Sequence, residues 1–303
     1  MARRRRGRPV SGILLLDKPK GISSNGALQR VRRLFNAQKA GHTGSLDPLA
    51  TGMLPICLGE ATKLSGYLLD ADKRYEVTAT LGVSTTTGDA EGEETGRAAV
   101  DPDAFVRAAA QFVGEIEQTP PMYSAVKHQG RRLYELARAG ETVERKTRRV
   151  TIHGIEVLGR GDDSVTLDVR CSKGTYIRTL VEDIAAAGGS LAHVAALHRT
   201  QAGPFAGDMV TVDTIEAQAE SGVDALDCLL LPAIEAVRDW PMVHVNQDSA
   251  FFLRQGQAVQ VAKAPTEGVV AMVGPDDDLV GIGEILDDGR VGPRRVMARP
   301  GPK

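Results

Sequence analysis

The chain has 303 residues, of which 42% are hydrophobic and 25% are charged, a composition typical of a soluble protein with about two domains. No apolar run approaches the roughly 20 residues that a membrane-spanning helix needs. The three cysteines (Cys57, Cys171 and Cys228) are widely spaced and odd in number and indicate neither a disulfide framework nor a metal-binding motif, so we expect a protein of the reducing cytoplasm.

The charges are distributed unevenly along the chain. The net charge is −2, but residues 1–39 carry eleven Lys or Arg against one acid, Asp17, and the remainder has a net charge of −12. Residues 127–149 form a second basic segment with eight bases and three acids, and five bases follow Asp288 without an acid. The N-terminal arginine run alone is equally typical of a solvated tail. Three separate basic segments on an otherwise acidic chain predict a nucleic-acid partner.

The first elements of the chain are a strand and a helix. Residues 12–19 (GILLLDKP) predict a buried strand. Residues 23–35 (SSNGALQRVRRLF) predict a helix because their apolar side chains recur on one face, with Ser24 or Asn25 as the N-cap. A polar, glycine-rich loop, residues 41–52, follows and leads into a mostly apolar segment.

The middle of the chain continues this mixture of strands and helices. Residues 74–83 (RYEVTATLGV) alternate strictly between apolar and other side chains, which predicts a strand. Residues 84–96 predict an acidic loop. Residues 101–118 predict a helix entered at an Asp-Pro pair. Its apolar stripe consists of Phe105, Ala109, Phe112, Val113 and Ile116.

The last third of the chain predicts two further units. Residues 164–171 (SVTLDVRC) predict a strand, which leads through SKGT into a helix over residues 176–189 that ends at Gly188-Gly189. After Trp240 the chain predicts short strands and glycine-rich turns, including a DDGR hairpin, as in a small β-barrel. The order of elements indicates an α+β fold with long loops.

The chain lacks the motifs of cofactor chemistry. It contains no P-loop, no HExxH, no CxxC and no complete GxGxxG, and its six histidines show no metal-ligand spacing. The remaining candidate is the single carboxylate of the loop GHTGSLDPLATG, Asp47. An ionised carboxylate can act as a covalent nucleophile, and Arg178 could hold it by a bidentate ion pair. An isolated Asp-Pro is also typical of a turn or a helix entry.

The motifs as a set resemble one known family. GHTGSLDPLATG, preceded by LLLDKPKGISSN, resembles the signature of the TruB family of bacterial tRNA pseudouridine-55 synthases. LPICLGEATKLSGYLLDADKRYEV, PPMYSAVKHQGRRLYELAR and CSKGTYIRTLVEDI resemble later motifs of that family, in the same order. The segment from about Pro241 resembles its small RNA-binding barrel, so the resemblance covers essentially the whole chain.

The resemblance implies a fold, an activity and a partner. A pseudouridine-synthase-type domain, with a central mixed or antiparallel sheet and flanking helices, is expected over residues 1–240, with a basic insertion at about 123–150. A PUA-like RNA-binding domain is expected over residues 241–303. The implied reaction converts uridine 55 in the T-loop of tRNA to pseudouridine after base flipping, without a cofactor. We expect a monomer that binds the T-loop and arm of tRNA and neither a membrane nor a metal.

The resemblance also implies roles for residues at the reacting base. Asp47 would be the nucleophile, attacking C6 of the uracil or C1′ of the ribose, and Arg178 its partner. Tyr75 would stack on the flipped base and help to move the C5 proton, Tyr176 would form a pocket wall, and Leu197 would close the pocket. Without the motifs, Tyr75 and Leu197 would be interpreted as core residues.

Three further residues are implied to contact the RNA. His42 would help to hold the opened loop, and Lys18 and Lys63 would contact phosphates or the pocket. Outside the motifs, a histidine or lysine at such positions is typical of a protein surface. A non-catalytic RNA-binding or RNA-folding protein on the same scaffold is the alternative, but binding alone would not require the carboxylate of Asp47. An aspartyl-phosphate enzyme is disfavoured, because DPLATG lacks the lysine and metal-binding acids that such chemistry needs.

Overall fold

The computed structural model describes residues 7–298. The four arginines from Arg3 to Arg6, and two of the five bases that follow Asp288, lie outside the described residues. Within residues 7–298, no helix is long and apolar enough to cross a membrane.

Strands make up most of the regular structure in the described residues. They are β1 (Gly12–Lys18), β2 (Ala40–His42), β3 (Thr51–Leu58), β4 (Lys73–Leu81), β5 (Val83–Thr85), β6 (Glu94–Arg97), β7 (Gly114–Gln118), β8 (Lys127–His128), β9 (Arg131–Arg132), β10 (Arg148–Arg160), β11 (Ser164–Cys171), β12 (Ala192–Ala202), β13 (Phe205–Ala206), β14 (Met242–His244), β15 (Val269–Val273), β16 (Leu279–Ile285) and β17 (Val291–Val296).

The α-helices are short and lie between the strands. They are α1 (Ser24–Leu34), α2 (Ser65–Leu69), α3 (Pro102–Ala109), α4 (Leu133–Arg138), α5 (Ile177–Ala187), α6 (Val212–Glu220), α7 (Val223–Asp227) and α8 (Gln247–Arg254). Three 3₁₀ helices accompany them, at Gly59–Leu64, Ala110–Phe112 and Ala233–Val237.

A mixed nine-stranded sheet forms the centre of the molecule. Its main order is β1-β3-β12-β4-β11-β10-β7, with β2 paired to β3 and β13 to β12. The β3–β12 pair is parallel and the other pairs are antiparallel. This confirms the predicted α+β class with a central mixed sheet and flanking helices. Because β4 and β12 lie at the middle of the order, side chains on them are well placed to form a buried site.

β1 and β3 are almost wholly apolar because both faces of the sheet are covered at these strands. Leu14 and Leu16 pack into the main core with α1, whereas Ile13 lies on the opposite face. That second face packs against the C-terminal sheet, where Ala271 and Ile282 belong to the same cluster as Ile13. A sheet covered on both faces has continuous apolar strands, as seen in this segment.

The C-terminal region forms its own four-stranded sheet, in the order β14-β15-β16-β17. The β14–β15 pair is parallel and the others are antiparallel. The predicted DDGR turn joins β16 and β17, with the amide of Leu286 donating to the carbonyl of Arg290 at 2.8 Å. The β-rich character predicted after Trp240 is therefore confirmed, but the helix α8 within that region was missed.

Three local predictions need correction. The helix predicted over residues 101–118 ends at Ala109, and after a 3₁₀ turn the chain enters β7, so Val113 is 48% exposed. The N-cap of α1 is Ser23, whose side chain accepts from the amide of Gly26, and not Ser24 or Asn25. The acidic segment 84–96 contains most of the β5–β6 hairpin.

Candidate active site

A cavity of about 300 Å³ opens beside the middle strands of the central sheet. The loop between β2 and β3, strands β4 and β12, and the start of α5 all contribute to its lining. Five of the residues predicted for the site line it together: Asp47, Tyr75, Tyr176, Arg178 and Leu197. These residues come from four separate parts of the sequence, so folding brings them to one place.

Asp47 and Arg178 form an ion pair at this cavity. The Arg178 Nη2 lies 2.9 Å from Asp47 Oδ2, and the arginine side chain is 4% exposed whereas that of Asp47 is 42% exposed. Arg178 also donates to the carbonyls of Thr87 at 2.7 Å and Tyr123 at 2.8 Å. These bonds fix the guanidinium, so the carboxylate is held in one orientation with an open side toward the cavity.

A second carboxylate, Asp89, lies behind Arg178. Its Oδ2 is 3.6 Å from Arg178 Nη1, and its side chain is 5% exposed. Asp89 also accepts hydrogen bonds from the Thr87 hydroxyl at 2.6 Å and from the Glu91 amide at 3.1 Å. Sequence reasoning missed this residue, because it lies in a segment interpreted only as an acidic loop. Arg178 is thus shared between one accessible and one buried carboxylate.

The protonation of Asp47 depends on opposing effects. Burial raises the pKa of its carboxyl above the ordinary aspartate value, whereas the charge of Arg178 lowers it and that of Asp89 raises it. The net direction is upward. A carboxylate that is less stabilised by its surroundings is a stronger base and a more reactive nucleophile once it is ionised.

Backbone contacts fix the loop on both sides of Asp47. The Ser24 hydroxyl forms hydrogen bonds with both the amide and the carbonyl of Leu46. The carbonyl of Pro48 accepts from the amide of Gly21 at 2.8 Å and from the Lys18 Nζ at 3.4 Å. The chain itself makes a turn here, since the amide of Ala50 donates to the carbonyl of Asp47 at 3.1 Å.

Arg199 fixes the same loop from the opposite side, and sequence reasoning did not identify it. Its guanidinium is almost fully buried, with Nε donating to the Met53 carbonyl at 2.6 Å and Nη2 to the Gly44 carbonyl at 3.1 Å. Arg199 lies opposite Tyr75 in the β12–β4 register and lines the cavity. The signal that could have found it is the strand alternation, because Arg199 falls on the inward side with Leu197.

Tyr75 and Tyr176 form two walls of the cavity. Tyr75 is 9% exposed, and burial raises the pKa of its phenol, with the charge of Arg199 working in the opposite direction. The phenol is therefore protonated at neutral pH. The backbone of Tyr176 is held by Gln118, whose side chain accepts from the Tyr176 amide at 3.0 Å and donates to its carbonyl at 3.2 Å.

The other predicted site residues, His42, Lys18 and Lys63, do not line the cavity. His42 is half-buried on β2, and burial lowers the pKa of its imidazole. Lys18 is fully buried, and its ammonium donates to the carbonyls of Pro19 and Ile22 at 2.8 Å each. Lys63 pairs with Glu60 at 2.5 Å and donates to the Val296 carbonyl at 2.6 Å, which places it at the C-terminal sheet.

The basic segment 127–149 closely follows residues that line the cavity. It contains the β8–β9 hairpin and helix α4, where Leu133 and Leu136 are buried. It is joined to the cavity through Ser124 and Ala125, which line it. Lys127 is two residues from Ala125, so the basic segment begins near the cavity.

Models of one protein family match most of the chain. The model described as the TruB family pseudouridylate synthase N-terminal domain matches residues 32–177. The model described as the tRNA pseudouridylate synthase B C-terminal domain matches residues 178–238, and that described as Pseudouridine synthase II TruB, C-terminal, matches residues 241–297.

Individual proteins match over nearly the full length. A tRNA pseudouridine synthase B of Nitrosococcus oceani is 56% identical over 299 residues, covering 97% of this chain and 97% of the relative. A tRNA pseudouridine synthase B of Pseudomonas aeruginosa is 53% identical over 294 residues, covering 96% and 97%. The structure of an H/ACA RNP bound to a substrate RNA containing 2′-deoxyuridine matches with a TM-score of 0.74 and 25% identity, covering 99% of this chain and 92% of that chain.

Proposed function

This chain belongs to the TruB family of pseudouridylate synthases, and on that premise we propose that it isomerises uridine to pseudouridine in tRNA. The reaction breaks the N1–C1′ bond and forms a C5–C1′ bond. The C5 proton leaves and N1 gains a proton, so the product is an isomer of the substrate. The observation that carries this proposal is the ion pair between Asp47 and Arg178 at the cavity.

Asp47 acts as the nucleophile in this proposal. Its carboxylate is the accessible member of the pair, and the buried Arg178 leaves it one open side. Attack on C1′ of the ribose displaces the uracil as an anion and leaves Asp47 bonded to the sugar, whereas attack on C6 gives an adduct with the ring in which the N1–C1′ bond breaks in a later step. Either route builds negative charge on the uracil ring, and the buried guanidinium of Arg199 lies at the same cavity to stabilise it.

The target base reaches Asp47 by flipping out of the RNA. Flipping costs a few kcal/mol of stacking and pairing energy, which contacts in the cavity offset. Tyr75 supplies a stacking face and takes part in moving the C5 proton, Tyr176 forms a wall, and Leu197 closes the pocket. The lining of one cavity by these three side chains supports this assignment.

The substrate position is uridine 55 in the T-loop, as the resemblance of the motifs implies. In this proposal His42 contacts the opened loop and the basic segment 127–149 contacts phosphates of the T-arm. Residues 1–240 form the catalytic domain, and residues 241–303 form a PUA-like domain that meets the acceptor-stem side. The protein works as a monomer in the cytoplasm.

Nothing in the site favours the non-catalytic alternative. An RNA-binding scaffold would gain nothing from an accessible carboxylate held by a buried arginine, because a negative charge in the binding cavity repels phosphates. The curated relatives named as tRNA pseudouridine synthase B point the same way.

Tritium release tests the activity and the nucleophile together. The wild-type chain is expected to release tritium to water from tRNA labelled at uridine C5, whereas Asp47→Asn should bind tRNA and release none. The matched control is Asp162→Asn, which alters an exposed carboxylate in the turn between β10 and β11 and should react normally. Normal release by Asp47→Asn would exclude Asp47 as nucleophile, and binding without release by the wild type would support the non-catalytic alternative. Mass mapping of pseudouridine in the product tRNA tests position 55.

A further inference from the structure

A second cavity, of about 490 Å³, lies beside the proposed active site. We call it the side groove. It shares Leu69, Ser172 and Gly174 with the lining of the active-site cavity, so the two cavities are adjacent. A nucleotide with its base in the active site would have its sugar and phosphates at the rim, because only the ribose separates base from phosphate. The side groove is therefore a place where the backbone of a bound RNA can lie.

Three cationic side chains line the side groove, and two of them are already paired. Arg149 lies 3.4 Å from Glu115, and Lys173 lies 2.9 Å from Asp70. Arg148 differs, because it forms neither an ion pair nor a hydrogen bond with any side chain or backbone group in residues 7–298. One uncompensated positive charge therefore faces this groove.

The position of the Arg148 guanidinium is nevertheless fixed. It lies 4.7 Å from the centroid of the Tyr176 ring, a cation–π contact with a wall of the active site. Its Nη1 lies at Gly174, where a Cβ atom would come within 3.3 Å of it. Nε and Nη2 are out of contact with solvent and have no hydrogen-bond acceptor. The guanidinium charge thus has no counter-ion within residues 7–298, and an anion that approaches Nη1 would supply one.

We propose that Arg148 and the side groove form a binding subsite for one phosphodiester group next to the flipped uridine. The inference rests on the proposed function, since it uses the base in the active site to place the backbone. A guanidinium suits a phosphate because it is always charged, and here the Nη1 donors can approach a phosphate oxygen. Stacking on Tyr176 leaves the guanidinium edge, where Nη1 lies, to meet the ligand. The subsite thereby couples backbone binding to the wall that faces the base.

The test combines a protein variant with a chemical change in the RNA. The protein is the full chain, as wild type, Arg148→Gln and Arg148→Lys. The control is Arg160→Gln, which removes an arginine from the far end of the same strand, β10. The probe is a stem–loop RNA with the target uridine, made either with natural linkages or with a neutral methylphosphonate on the 5′ or the 3′ side of that uridine. Affinity, its salt dependence and single-turnover tritium release are measured for each combination.

We expect Arg148→Gln to bind natural RNA about tenfold more weakly, because a charge-assisted hydrogen bond is lost. The affinity of Arg148→Gln should also depend less steeply on salt. The slope of log affinity against log salt concentration should be smaller in magnitude by roughly 0.7, the value for one phosphate contact. One of the two methylphosphonates should weaken RNA binding by the wild type by a similar factor. The same methylphosphonate should not weaken RNA binding by Arg148→Gln any further, because the contact is already lost. Arg148→Lys should keep the salt slope, and Arg160→Gln should behave as wild type.

Two results would overturn the subsite. One is unchanged affinity and salt slope in Arg148→Gln, and the other is additive losses for the variant and each methylphosphonate, because then Arg148 does not act on either phosphate. If Arg148→Gln fails to fold, the wild type and Arg148→Lys with the modified RNAs decide the same question. Failure of the proposed function would be recognised separately, as wild-type binding without any tritium release.

Discussion

The Ser24 hydroxyl forms two hydrogen bonds with the backbone of a single residue, Leu46. It accepts from the Leu46 amide at 2.7 Å and donates to the Leu46 carbonyl at 3.0 Å, and both residues are buried. Leu46 directly precedes Asp47, so one hydroxyl at the start of α1 sets the position of the proposed nucleophile. Its neighbour Ser23, with the same side chain, only caps the helix.

Ser24→Ala should therefore impair catalysis more than folding. The change leaves a buried amide and a buried carbonyl without partners, which should lower the free energy of unfolding by about 2 kcal/mol. A shift of the loop should reduce the single-turnover rate by about tenfold or more, with tRNA affinity within about twofold of wild type. The control Ser23→Ala should lose about 1 kcal/mol of stability and keep its rate. Equal rates in the two variants would show that the loop does not depend on Ser24.

The pH dependence of the rate should follow the ionisation of Asp47. Only the carboxylate is a nucleophile, so the single-turnover rate should fall as pH drops through the pKa of Asp47, which burial places above the ordinary aspartate value. Arg178 lowers that pKa, so in Arg178→Gln the fall of the rate at low pH should begin at higher pH. Asp89 raises the pKa of Asp47, so in Asp89→Asn the fall of the rate should begin at lower pH. A shift in the same direction in both variants would contradict the assignment of this pH dependence to Asp47.

Arg199→Lys should separate charge from position. Lysine keeps a positive charge at the cavity but cannot donate to the carbonyls of Gly44 and Met53 in the fork geometry of a guanidinium. We expect the single-turnover rate to fall by about tenfold or more, since a misplaced loop costs orientation, while tRNA affinity stays near wild type. Melting temperature serves as the control for folding. A loss of affinity with an unchanged rate would mean that Arg199 holds RNA and not the loop.

Lys63→Met should loosen the C-terminal sheet without slowing chemistry. Lys63 donates to the Val296 carbonyl at 2.6 Å, and its partner Glu60 accepts from the Ala298 amide at 2.7 Å. We expect faster amide hydrogen exchange at β17 and normal single-turnover rates on a short stem–loop RNA. Glu60→Gln should show the same exchange change. A rate defect in Lys63→Met with unchanged hydrogen exchange at β17 would instead support the contact with phosphates or the pocket that the resemblance implies.

The sequence was sufficient to predict elements with a clean period. In β4 and β11 the apolar side chains alternate, and in α5 they recur at helical spacing, so one face of each is buried as predicted. Residues 101–118 failed because two elements share an apolar pattern. The stripe from Phe105 to Ile116 fits one helix, but Gly114 adopts a positive φ of 112° and the chain continues as a strand. Local spacing does not record such a change of direction.

The site was predictable where motifs name residues, and unpredictable where the role depends on contacts across the fold. Asp47 and Arg178 are 131 positions apart, yet both stand in motifs. Asp89 and Arg199 lie outside the quoted motifs, and Ser24 lies inside one without a role in the site assigned to it, because the roles of all three depend on which backbone group or ion lies opposite. The hydrogen bonds from Lys18 to the carbonyls of Pro19 and Ile22 likewise could not be predicted from the motif that contains it.

The contacts that fix the loop of Asp47 also determine which molecule moves during the reaction. Leu46, Pro48 and Gly44 are each tied to a different part of the scaffold, so the carboxylate is a stationary target. The search for the reactive geometry is then left to the nucleic acid, which must unstack and rotate. Differences in turnover among substrates should accordingly track the ease with which each RNA loop opens, and not the flexibility of the protein.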